Sequence, residues 1–190
     1  FSFLITAMSS ASQRFITYEL GSGDLQSTNR VFCASFMAQI FIAVILIAVV
    51  EGFGLWFLNY RLNIPDGRMI AANWVFQFSV MAFAIHILQV PYEAAVVANE
   101  KMTFFAYASI ADSFMKLGLV FLLKVSGYDK LITYAVLIAV ESFLMWLIYR
   151  IYCKRKFSIC DFHVVRDKSL FQRLFSFTGW SLWGSGANVL

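Results

Sequence analysis

Charge is what this chain has least of: 14% of its residues are Asp, Glu, Lys or Arg, against about 25% in soluble domains. A water-soluble core is excluded on that ground. The vocabulary of catalysis is missing as well. There is no nucleophile motif, no HExxH, no phosphate-binding glycine loop and no cluster spaced for a metal, so the sequence argues against an enzyme and against a bound metal or cofactor. Three cysteines, Cys33, Cys153 and Cys160, form no CxxC pair, and an odd count does not make a disulfide framework. They read as reduced structural thiols. No basic segment and processing site precede the first apolar run, so a cleavable signal is absent from Phe1 to Arg14.

What fills the chain is apolar length. Hydrophobic residues make up 61% and the mean hydropathy is +0.73. A hydrocarbon core of about 30 Å takes roughly 20 residues of helix, and Phe32–Leu58, Ile70–Ala98, Phe104–Val125 and Leu131–Tyr152 all reach that length. A partial helix over 1–18 comes before them and the start of another, 175–190, comes after. The chain opens on Phe1 and stops on Leu190 within apolar runs, and it reads as a piece of a longer protein. The fold class expected is an all-α, polytopic membrane helix bundle.

Arg14, Arg30, Lys101, Arg150, Lys154, Arg155, Lys156, Arg166, Lys168 and Arg173 fall at one set of helix ends, and Arg61, Arg68, Lys124 and Lys130 at the other. Positive residues are retained on the cytoplasmic side, so the first set marks the cytoplasm. The net charge of +4 then reports topology and contact with anionic lipid, and does not indicate nucleic acid. Connections carry Gly21, Gly23 and Asp24, then Pro65, Asp66 and Gly67, then Ser126 and Gly127. Short turns of this kind join antiparallel neighbours. The connection 153–174 is longer, polar and basic. Within it Leu170, Phe171, Leu174 and Phe175 recur at helical spacing after Asp167, which predicts a short helix on the membrane surface. Trp56, Tyr60, Tyr128, Tyr149 and Tyr152 lie near span ends and suit interfacial aromatic belts.

Ionisable groups inside the spans cost about 2.5 to 3.5 kcal/mol each on insertion scales, so each needs a reason. Asp112 and Lys116 are four apart on one helical face, which fits either a structural ion pair or a contact with substrate or a coupling ion. Their charges are expected to point into the bundle. Ser79, His86 and Glu93 repeat every seven residues with Gln89 beside them, making a polar stripe. Pro91 lies within it and is expected to kink the helix. His86 has the side chain whose ordinary titration lies near pH 6.5, and the plainer reading is a neutral imidazole held by a neighbour. Asn73 and Gln77 form a second polar patch, suited to sugar hydroxyls or to inter-helix hydrogen bonds. Glu141 and Glu51 are candidates for a proton or sodium site, or for a protonated hydrogen-bond donor holding two helices together, a reading that suits Glu51 better. Arg14, in the small-residue run Ser9 to Gln13, is either a phosphate contact or a positive anchor.

Seven strings, in order and spacing, carry a resemblance: SSASQRF (Ser9–Phe15) with YELGSGD (Tyr18–Asp24), AANWVFQFS (Ala71–Ser79), VPYEAAVVANEKM (Val90–Met102), YDKLITYA (Tyr128–Ala135), IYCKRKF (Ile151–Phe157) and FSFTGW (Phe175–Trp180). Together they resemble the polysaccharide-transporter branch, O-antigen flippases included, of the multidrug, oligosaccharidyl-lipid and polysaccharide exporter superfamily. The resemblance implies a two-lobe bundle of at least twelve helices around a cavity that opens alternately to each face. This chain would hold part of the first lobe, with 153–174 as the inter-lobe linker. It implies a bacterial inner-membrane protein that flips a lipid-linked oligosaccharide, with H+ or Na+ as candidate coupling ion. Arg14, Asn73, Gln77, His86, Glu93, Asp112 and Lys116 are then candidates for the substrate cavity, and Glu141 and Glu51 for ion coupling. The acidic residues keep an ion-coupled multidrug antiporter of the same superfamily open as the alternative. A non-transporting scaffold for glycan assembly is the third class.

Overall fold

The computed structural model describes residues 2–61, 68–125 and 129–160, together with His163, Gln172 and Ser176. Among these residues there are five α-helices and no strand: α1 (Ser2–Gly21), α2 (Leu25–Tyr60), α3 (Met69–Ala98), α4 (Met102–Val125) and α5 (Lys130–Lys156), followed by a 3-10 turn at Ser158–Cys160. Four of them, α2 to α5, are long and apolar enough to cross a membrane. The protein is a multi-pass membrane protein. The turns containing Pro65 to Gly67 and Ser126 to Tyr128, the expected surface helix and the span 175–190 lie outside the described residues, apart from the single positions named above.

The helices outrun their apolar segments. Hydropathy puts the start of α2 at Phe32, whereas it begins at Leu25 because Asp24 caps it, its carboxylate accepting from Gln26 N at 2.9 Å and Ser27 N at 3.3 Å. A capped polar turn is helical without being apolar. With 36 residues and a rise of about 1.5 Å each, α2 is about 54 Å long and projects beyond a bilayer. At the other end of the chain α5 runs to Lys156 instead of Tyr152, its last turn carrying Lys154, Arg155 and Lys156, whose charges oppose the negative end of the helix dipole.

The hydrogen bonds to Asp24, the side chain of Ser27 first among them, hold its carboxyl below the usual aspartate value of 3.8. A group titrating lower in the folded than in the unfolded chain stabilises the fold fully above the unfolded value. That contribution is lost as pH falls through the folded one. The first turn of α2 is therefore expected to fray on acidification below about pH 4, seen as loss of helical backbone chemical shifts at Gln26 and Ser27. Asp24→Ala is expected to leave that turn frayed at every pH. An acid transition at the same residues in the variant would refute the assignment to Asp24.

Between α3 and α4 the chain reverses over Asn99, Glu100 and Lys101. Lys101 N bonds to Val96 O at 3.1 Å and Glu100 N to Val97 O at 2.9 Å, the paired bonds of a Schellman cap. Its left-handed residue is Glu100, at φ 56°. So tight a reversal makes the two helices antiparallel, and α3 and α5 consequently run in the same direction.

Burial centres on α3, which packs most extensively on α5 and also touches α1, α2 and α4. Small residues allow the close approach: Ala94 and Ala95 on α3 and Ala135, Ala139 and Ser142 on α5 are all buried. Such side chains let membrane helices pack backbone to backbone. The same device joins α1 and α2, where Ala11 and Ser12 are buried and Ser12 Oγ accepts from Gln39 Nε2 at 3.1 Å. A larger core lies where α1, α3 and α5 end and α2 and α4 begin. There Phe32, 1% exposed, sets its ring edge-on to Tyr92 at 5.6 Å, and Phe104 stacks on Tyr152 at 3.5 Å. After α5 the chain folds back onto the first turns of α2, with Asn29 Nδ2 donating to Ile159 O at 2.7 Å and His163 N to Cys33 Sγ at 3.4 Å. All three cysteines are free and buried.

The opposite faces are greasy. Phe41, Val44, Val49 and Phe53 on α2 and Phe114, Leu117 and Phe121 on α4 are exposed, a surface that water would penalise and hydrocarbon does not. Trp56 and Tyr60 stand exposed near the end of α2, as a belt requires. Tyr149 corrects the expectation: it is 2% exposed and belongs to the core. Pro91 is also buried, and α3 continues helically through it to Ala98.

Candidate functional site

The polar residues of three spans meet. Asp112 on α4 accepts from Lys116 Nζ at 2.7 Å and lies within electrostatic reach of the carboxyl group of Glu141 on α5. On α3, Gln89 Nε2 donates to Glu93 Oε1 at 2.6 Å. Glu93 is within electrostatic reach of Asp112, and His86 within reach of Asp112 and Lys116. Five sequence candidates, His86, Glu93, Asp112, Lys116 and Glu141, therefore form one interhelical group although none of their helices carries more than two of them.

Asp112 is held by the ammonium group of Lys116. Glu141 is 3% exposed, while the side chains of Asp112 and Lys116 are 26% and 56% exposed. Asp112 turns toward α5, as expected. Lys116 does not point into the bundle: its long stem carries the ammonium to the exposed flank of α4 while keeping the bond to Asp112, as flexible lysine side chains do.

The site reaches further than sequence reasoning took it. Tyr149, expected at the interface, lies within electrostatic reach of Glu93 and Asp112. Its spacing of eight residues from Glu141, about two turns, is the signal that places both on one face of α5. Gln89 Oε1 and Ser142 Oγ are buried and have no hydrogen-bond partner among the described residues, so the seam between α3 and α5 keeps unused polar capacity beside Glu93 and Glu141.

The remaining candidates lie elsewhere. Gln77 Nε2 donates to Glu51 Oε2 at 3.0 Å, so Glu51 bridges α2 and α3 as an acceptor and not as the expected donor, because the amide of Gln77 supplies the proton. Asn73 turns its amide back to Met69 O at 3.0 Å on its own helix. Arg14 is on the exposed face of α1, whose contacts are with α2 and α3. No group of three or more His, Cys, Asp or Glu among the described residues is arranged to hold a metal ion. Comparison with family models, with curated proteins and with solved structures gives no match to this chain.

Proposed function

We propose that this chain is part of a transporter that flips a lipid-linked oligosaccharide or polysaccharide precursor across the bacterial inner membrane by alternating access. In this reading it contributes to the first lobe of a two-lobe exporter of at least twelve helices. The resemblance of the seven strings supplies the family. The observation that carries the reading is the interhelical group of Glu93, Asp112, Lys116 and Glu141 inside apolar spans. Ionisable groups at such depth are expensive and are retained where substrates, ions or protons pass. In the proposed cycle the ammonium of Lys116, reachable from one flank of α4, receives the diphosphate of the lipid carrier as a point charge. Proton or sodium exchange at Glu141, beside Asp112, would then couple the cycle to an ion gradient.

Inverted vesicles holding the intact protein and a labelled lipid-linked glycan test it. Transfer of the label to the far leaflet, faster with a proton gradient than without, is the expected result. Absence of transfer, together with normal surface polysaccharide in a deletion strain, ends the proposal. The acidic excess of the group, Glu93, Asp112 and Glu141 against Lys116, favours an ion-coupled multidrug antiporter as the second reading. Gradient-dependent resistance to cationic drugs on expression would select that reading instead.

A further inference from the structure

Between α2 and α3 lies a cavity of about 220 Å³, lined by Val50, Phe76, Ser79, Val80 and Phe83. Four of these five side chains are apolar, and all lie in spans long and apolar enough to cross the membrane. Phe83 in its lining also packs against the small core of Ala43, Ile87 and Val90. Gly54 lets the two helices approach, since a Cβ there would stand 2.5 Å from Phe76 Cζ. The neighbouring carboxylate, Glu51, is satisfied by Gln77, which leaves the cavity itself without a polar demand.

Beyond the cavity stand two cations. Arg61 follows α2 directly and lies over the Trp56 ring at 5.9 Å. Arg68 precedes α3, and both are exposed. Counting about 1.5 Å per residue, Arg68 is about 12 Å above Phe76 and Arg61 about 16 Å above Val50. Half a hydrocarbon core is about 15 Å and the headgroup layer adds about 5 to 7 Å. A lipid whose phosphate meets the arginines therefore has the inner half of its chain at the cavity.

We propose that the α2 and α3 seam binds one anionic phospholipid, its hydrocarbon chain in the cavity and its phosphate on Arg61 and Arg68. The site rests on the membrane reading alone and not on the flippase reading. A membrane lipid held there would wedge α2 against α3 and make their separation depend on the anionic lipid content of that leaflet.

The test uses the intact protein in nanodiscs with phosphatidylglycerol or phosphatidylcholine carrying a diazirine in the inner half of an acyl chain, and mapping of the labelled peptides. Labelling at Val50 and at Phe76 to Phe83 is expected to favour the anionic lipid, by roughly fivefold for each arginine engaged. Val80→Trp, which fills the cavity, is expected to abolish that labelling while leaving labelling at the exposed Phe114 and Phe121 unchanged. Arg61→Gln with Arg68→Gln is expected to bring the two lipids to parity at the seam. Equal labelling by both lipids in the native protein, or seam labelling indifferent to Val80→Trp when Phe114 labels normally, overturns the proposal. So does displacement by a long-chain polyprenyl phosphate at a mole fraction where phosphatidylglycerol has no effect.

Discussion

Lys116→Ala is expected to lower glycan transfer roughly 10- to 100-fold, the effect of losing a hydrogen bond to a charged group worth about 1.5 to 3 kcal/mol. Lys116→Arg should retain most of the transfer, because a cation remains at the same depth, though guanidinium geometry differs from a point charge. The informative variant exchanges the two residues, Asp112→Lys with Lys116→Asp. Attraction at four-residue spacing survives the exchange, and the lysine placed at 112 meets Glu141, so the variant should express and fold like the parent. It should not transport, since the cation has moved a full turn and now faces α5. Normal transport by the exchanged protein would reduce the pair to scaffolding and remove Lys116 from the proposed site. The vesicle assay and a thermal-unfolding measurement on the same preparations separate the two outcomes.

The second large effect is on stability. Phe32 is almost fully enclosed, with its ring against Tyr92, and it ties the first turns of α2 to the far end of α3. Truncation to alanine is expected to destabilise the protein by about 3 kcal/mol, the lower end of values for large aromatic deletions, because the unfolded reference in a membrane is not fully hydrated. Val49→Ala, on the exposed face of α2, should change stability by no more than about 0.5 kcal/mol. Equal shifts in denaturant midpoint for the two variants would contradict the assignment of this core.

The number of spans, their hairpin connections and the polar stripe on α3 could be read from the sequence because hydrocarbon imposes one strong constraint: a backbone crossing it must be helical and mostly apolar. The same constraint hides what it does not govern. The start of α2 lies in a polar stretch, where Asp24 and its cap decide, and hydropathy is silent there. Tyr149 was read from its place near a span end, whereas its burial depends on which way α5 faces α3. The meeting of Asp112 with Glu141 was within reach residue by residue but not as a pair, since nothing in α4 alone or α5 alone fixes their relative height. Lys116 was expected to follow Asp112 inward. Its longer, more flexible stem permits the opposite.

The parallel packing of α3 against α5 has a consequence in time. Two helices that run the same way cannot be joined by a hairpin, and α4 must be threaded between their appearances in the membrane. When α3 is inserted, its principal partner has not yet been made. His86 and Glu93 must then wait with the early helices α1 and α2 as their neighbours, until the chain through Lys156 has emerged and Asp112 and Glu141 can reach them. The order of synthesis thus leaves the α5-facing side of α3 uncovered until α5 is made, and the small alanines of that face allow α5 to dock late and close.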